Sequence, residues 1–164
     1  MKKLQKKMSM FVALGLLALM SVGCGITEVV VVVAGDNNVQ MYATNLQVQV
    51  LDVNGVIASD ETLPVSEFAF PATLSITPSG DESASFRVHV RAIFPDGGPD
   101  MGPQELRSTR GTSFVAGESL RLDIPLFSRC SGVVCDVGQY CAANAQCVTD
   151  EVDPNSLPAW TGSL

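Results

Sequence analysis

Between Ser85 and Phe94 the chain alternates without a break: Phe86, Val88, Val90, Ala92 and Phe94 are apolar, and Arg87, His89 and Arg91 between them are not. A period of two sends the apolar set to one face and the polar set to the other, the pattern of a half-buried strand. The alternation recurs where Leu46, Val48 and Val50 interleave with Gln47 and Gln49, and again where Leu120, Leu122, Ile124 and Leu126 interleave with Arg121 and Asp123. Each such strand needs a second apolar layer to cover it, which points to sheet packed on sheet.

The remaining segments fit that expectation. Thr27 to Ala34 is nearly all β-branched (Val29 to Val33), as in a strand covered on both faces, and Gly35, Asp36, Asn37 and Asn38 end it as a turn. Asn54-Gly55 predicts a type I′ hairpin that folds Ala43 to Val53 back on Val56 to Ser59, with Asp60, Glu61 and Thr62 as a loop. Pro64 and Pro71 leave Ser66 to Phe70 as an edge strand at best, and Ala72 to Thr77 as a better one. Pro95 to Pro103 reads as an exposed tip, and Gln104 to Arg110 and Thr112 to Val115 as short strands on either side of Gly111. No amphipathic helix is expected between Ala34 and Ser128. About seven strands with turn signals between them give an all-β fold, an antiparallel two-sheet sandwich (Ig-like or transthyretin-like) over residues 24–128.

Beyond the sandwich, residues 129–149 hold Cys130, Cys135, Cys141 and Cys147, four cysteines within 18 residues. So short a segment has no core of its own, and two disulfides would replace one. Three pairings are open, with a zinc site as the rival chemistry. Residues 150–164 form a tail in which Trp160, the only tryptophan, either clips the tail to the body or docks on a partner.

The start of the chain sets the compartment. Lys2, Lys3, Lys6 and Lys7 precede an apolar run from Phe11 to Met20, and Ser21, Val22 and Gly23 lead to Cys24. Basic, apolar and small-residue parts in that order make residues 1–23 a signal peptide, cleaved between Gly23 and Cys24. The apolar part falls short of the roughly 20 residues that span a bilayer, and an uncleaved anchor from Met8 to Thr27 is the alternative. Val22-Gly23-Cys24 resembles the lipobox of bacterial lipoprotein precursors, with Ser21 in the place of the usual aliphatic residue. The resemblance implies that Cys24 carries a diacylglyceryl thioether, with palmitate among its acyl chains, and tethers the protein to the membrane. Five cysteines leave one over after pairing, and the odd one stands at this position.

Removing residues 1–23 leaves 141 residues and takes away all four lysines. Six arginines (87, 91, 107, 110, 121 and 129) then face 17 acids, a net charge of −11 that disfavours nucleic acid as a partner. His89, the only histidine, lies between two arginines that would lower its pKa, and it reads as a solvated strand residue with no catalytic role. Neither Gly-x-Ser-x-Gly nor His-Glu-x-x-His occurs, so no catalytic residues are assigned and an envelope hydrolase is the weaker alternative. Asp36, Asp52, Asn54, Asp96 and Asp100 supply oxygens for a calcium-dependent surface-binding alternative, but without the spacing of a calcium loop; no metal site or cofactor is assigned.

Taken together, the parts resemble a family of uncharacterised bacterial lipoproteins of myxobacterial type, which combine a lipobox, a valine-rich first strand, a β domain, a four-cysteine module and a tail. The most specific matches are Gly138-Gln139-Tyr140-Cys141 and Leu157-Pro158-Ala159-Trp160-Thr161-Gly162. Likeness to small extracellular cysteine modules implies the crossed pairing, Cys130 with Cys141 and Cys135 with Cys147. The expected function is a non-enzymatic, lipid-anchored envelope protein, at the outer membrane by family analogy since Gly25 and not aspartate follows Cys24. It would act in adhesion, as a scaffold, or in binding an envelope protein or polysaccharide.

Overall fold

Val29 to Val33 form the middle of the first strand, and all five side chains are buried. That strand, β1 (Glu28–Gly35), is central in a three-stranded sheet, flanked by β4 (Ala72–Ile76) and β7 (Ser119–Leu126). The second sheet has the order β3 (Ile57–Pro64), β2 (Asn45–Asp52), β5 (Ser85–Ile93), β6 (Glu105–Ser113). A small hairpin of β8 (Gln139–Cys141) and β9 (Cys147–Thr149) follows. The computed structural model describes residues 25–64, 66–94 and 105–162. The signal peptide, Gly23, Cys24 and the whole Pro95 to Pro103 loop, with Asp96 and Asp100, thus lie outside the described residues.

The protein is mostly β, with two main sheets and a disulfide-stapled hairpin. Val29, Val31 and Val33, with Leu120, Leu122, Ile124 and Leu126, meet Leu46, Val48 and Val50 and the Phe86 to Phe94 row in one apolar cluster. On the other face of the three-stranded sheet Val30 is flanked by Ser75 and Arg121, and Val32 by Thr73 and Asp123. Arg121 and Asp123, the β7 partners of Val30 and Val32, form an ion pair at 2.7 Å.

Several expectations need correction. The sheets are not wholly antiparallel, because β1 runs parallel to β7 with Val29 opposite Leu120. Alternation reports which face a residue takes and carries no information about strand direction. The turn expected at Asp36 to Asn38 is a short helix, α1 (Asn37–Tyr42), whose N-cap is Asp36 with its carboxylate accepting from Val39 N–H at 3.1 Å. An Asx residue heads turns and helices alike, and the buried Val39 settles which forms here.

The β2–β3 hairpin forms but its turn is not type I′, since Gly55 has φ +78° and Asn54 is not among the positive-φ residues. Gly55 N–H donates to the Asp52 carbonyl and Asp52 N–H to that of Val56, both at 2.9 Å, a three-residue loop in which Gly55 takes the left-handed position. Asp60, Glu61 and Thr62 belong to β3 and not to a loop, paired with Gln49, Val48 and Gln47. An edge strand facing water tolerates such polar residues. Ser66 to Phe70 forms no strand among its described residues. The two short strands expected around Gly111 are one continuous β6, and the glycine instead admits the tail. A Cβ there would come within 2.6 Å of Glu151 Oε2.

The tail runs along the open edges of both sheets. Gly111 N–H donates to the Asp150 carbonyl at 2.9 Å and Val152 N–H to that of Gly111 at 2.8 Å. Further on, Arg121 N–H donates to the Pro158 carbonyl at 2.9 Å and Trp160 N–H to that of Ser119 at 2.8 Å. Backbone pairing thus clips the tail to the body and satisfies edges that would otherwise template association.

Candidate functional site

The outward face of the four-stranded sheet is polar by the same alternation that makes its inward face apolar. At one end of that face the side chains satisfy one another. Asp60 accepts from the side-chain amides of Gln47 and Gln49 at 2.8 Å each, Arg91 reaches Gln47 Oε1 at 3.0 Å, and Glu105 is shared by Arg91 and Arg107. Arg87 and His89 lie outside this network, on the floor of a cleft of about 850 Å³. The β2–β3 hairpin around Val53 bounds the cleft on one side, and residues 132–141 of the cysteine module bound it on the other.

Disulfides Cys130–Cys141 and Cys135–Cys147 hold that second wall. Cys130 and Cys141 are buried in the main core, so the module shares the core of the sandwich. Arg110 adds a further tie, its guanidinium 3.8 Å from the centre of the Tyr140 ring and its Nη2 donating to the Tyr140 hydroxyl at 2.7 Å.

The back of the cleft is set by Asp150, which is only 2% exposed. Its N–H donates to the Gly138 carbonyl and its carbonyl accepts from Gly111, so this one residue joins the module to β6. Arg87 lies 3.5 Å from the Asp150 carboxylate through Nε and 3.4 Å from that of Glu151 through Nη2. Asp150 Oδ1 and Arg87 Nε are buried without a hydrogen-bond partner among the described residues. An acceptor and a donor side by side, each with bonding capacity to spare, suit a polar ligand group or a bound water.

His89 pairs in register with Gln49 and Thr109. Its pKa is lowered from 6.5 by burial first, then by the charge of Arg87 and, more weakly, Arg107, with Asp150 opposing. Of the two flanking arginines expected to act on it, Arg87 does so and Arg91 is not among the causes. At neutral pH the imidazole is uncharged and offers one donor and one acceptor to the cleft.

Of the calcium candidates among the described residues, Asp36 and Asp52 spend their carboxylates on the fold itself. Asp36 is committed to the α1 cap and to Ser128, and Asp52 accepts from the N–H groups of Asn54 and Val56. Among the described residues no three His, Cys, Asp or Glu side chains gather as a metal site. Asp150, Glu151 and Tyr140 are the cleft residues that sequence reasoning missed. Gly111 inside a strand was the one available signal, since such a glycine marks a close approach by another backbone.

No protein-family model and no curated protein matches the chain. Among solved structures, a fimbrial assembly protein from Parabacteroides distasonis is similar over 60% of this chain and 51% of that one, with 14% sequence identity and a TM-score of 0.39. This chain thus spans about half the length of that protein.

Proposed function

We propose that the chain is an exported, lipid-anchored protein of the cell envelope, held by acylated Cys24, that binds an envelope component in the cleft between the four-stranded sheet and the cysteine module. The observation that carries this reading is the pair of disulfides, chemistry of an oxidising compartment, forming one wall of an open and partly polar cleft. Its size falls within the range of ligand sites. The polar groups on its floor are paired with one another or stand as single donors and acceptors, which favours binding over catalysis. The myxobacterial-type lipoprotein family and the outer membrane are the family and location that fit best, and an envelope polysaccharide or protein is the class of partner.

Radiolabelled palmitate tests the anchor. Label should enter the wild type and be absent from Cys24→Ala; equal labelling of both defeats the reading. Cleft binding is tested separately with envelope fractions and Arg87→Gln, which should reduce retention about tenfold through loss of a charged hydrogen-bonding group. Retention equal to wild type would remove the cleft from the proposal.

A further inference from the structure

Strand register gathers four segments at one end of the sandwich. β1 begins with Glu28 beside Ser119 of β7, and β4 ends with Ile76 beside Val29. In the other sheet β5 begins with Ser85 opposite Ser113, and β2 ends with Asp52 opposite Phe86. Residues 25–27, 53–56, 77–84 and 114–118 therefore share that end.

The exit toward Cys24 lies here and is held closely. A Cβ on Gly25 would fall 2.0 Å from the Gly117 carbonyl oxygen, and Gly117 N–H donates to Thr27 Oγ1 at 2.8 Å. Gly25 is thus fixed on the body, and Cys24 is the next residue in the chain, a Cα-to-Cα step of about 3.8 Å. Four large apolar side chains stand exposed at the same end: Ile26 (68%), Val53 (74%), Val56 (61%) and Ile57 (53%). Apolar groups left in water beside an attachment point call for a cover.

Resting on the anchor proposed above, we infer that this end lies against the lipid surface, with Ile26 and the β2–β3 hairpin tip at the boundary between headgroups and acyl chains. Close tethering at Cys24 leaves the surrounding end of the domain facing the bilayer, and apolar contact then adds to the acyl chains. Charge decides the kind of surface. The five acids at this end are Glu28, Asp52, Asp81, Glu82 and Glu118, and these segments contain no lysine or arginine. Glu28, Asp52 and Asp81 are held by hydrogen bonds within the fold. The contact is therefore apolar and suits zwitterionic lipid, and it weakens as anionic lipid is added.

Trp160 supplies a native reporter, because its N–H donates to the Ser119 carbonyl at this end. The test places acylated mature protein in zwitterionic vesicles carrying a nitroxide at a shallow acyl position, and reads Trp160 fluorescence. Quenching should be about twofold in the wild type, as for an interfacial tryptophan. It should be largely lost in Val53→Asp/Val56→Asp/Ile57→Asp and, as a second variant, in Ile26→Asp, with acyl mass, vesicle association and melting temperature unchanged. Acylated, vesicle-bound protein whose Trp160 is unquenched, or quenched equally in every variant, overturns the orientation alone. Absence of acyl mass overturns the anchor and the orientation with it.

Discussion

Asp36 holds Ser128 through both the backbone and the side chain: one carboxylate oxygen accepts from Ser128 N–H at 2.7 Å and from its hydroxyl at 2.8 Å. The other oxygen caps α1 through Val39 N–H. One side chain therefore fixes the exit of β1, the start of α1 and the point where β7 hands over to the cysteine module. Asp36→Ala should cost about 2 kcal/mol, a lost cap plus lost charged hydrogen bonds, read as a lower urea midpoint at unchanged slope. An unchanged midpoint would show that the junction is held by packing alone.

Acid should weaken the fold through the same group and through Glu28. Burial alone would raise the Asp36 carboxyl, but the bonds from Ser128 and Val39 outweigh it and hold the pKa below the ordinary 3.8. Glu28, which accepts from Ser119 Oγ at 2.6 Å and Ser75 Oγ at 2.5 Å, is held below its ordinary 4.5 by those bonds. A depressed carboxylate contributes stability above its unfolded pKa and loses it as pH falls through the folded value. Urea unfolding from pH 6 down to about pH 3 should show the loss beginning near pH 4.5 and continuing below pH 4, with a shallower loss in Asp36→Asn. A wild-type profile flat across that window contradicts the assignment.

The two disulfides should differ in what they protect. Each closes a loop of about a dozen residues, worth roughly 3 kcal/mol in the chain-entropy account. Replacing Cys130 and Cys141 with serine adds the cost of two hydroxyls in the main core and should lower the melting temperature further than the same change at Cys135 and Cys147, which are half-buried. Equal melting temperatures would mean that the module is not part of the core.

Removing residues 150–164 should release both sheet edges. The four backbone hydrogen bonds to Gly111, Arg121 and Ser119 would be lost, together with Asp150. A destabilisation of about 4 kcal/mol follows at about 1 kcal/mol per bond, with association of the exposed edges visible by light scattering. A monodisperse truncated protein of wild-type stability would reduce the tail to an ornament.

Much of the fold was legible because burial writes a period into sequence. Phe86 to Phe94, Leu46 to Val50 and Leu120 to Leu126 lie on the faces their alternation assigns. Direction and edges were not legible. The unbroken run Val29 to Val33 fits a strand buried on both faces, as parallel strands commonly are, but does not say which neighbour runs parallel, and Asp60 to Thr62 look like a loop because an edge strand is allowed to be polar. The cleft was hidden for a different reason: Arg87, Gly111 and Asp150 meet through pairing between β6 and a tail 40 residues away in sequence, where no local pattern reaches.

The central claim is that one sulfur carries lipid while the other four are locked in pairs outside the cytoplasm, and the most direct test is the intact mass of membrane-extracted protein after alkylation without reductant. The expected mass is that of a chain beginning at Cys24, heavier by its acyl groups, lighter by the four hydrogens of two disulfides, and unalkylated at Cys130, Cys135, Cys141 and Cys147. A chain that still carries residues 1–23, or that takes up alkylating agent at those cysteines, contradicts it.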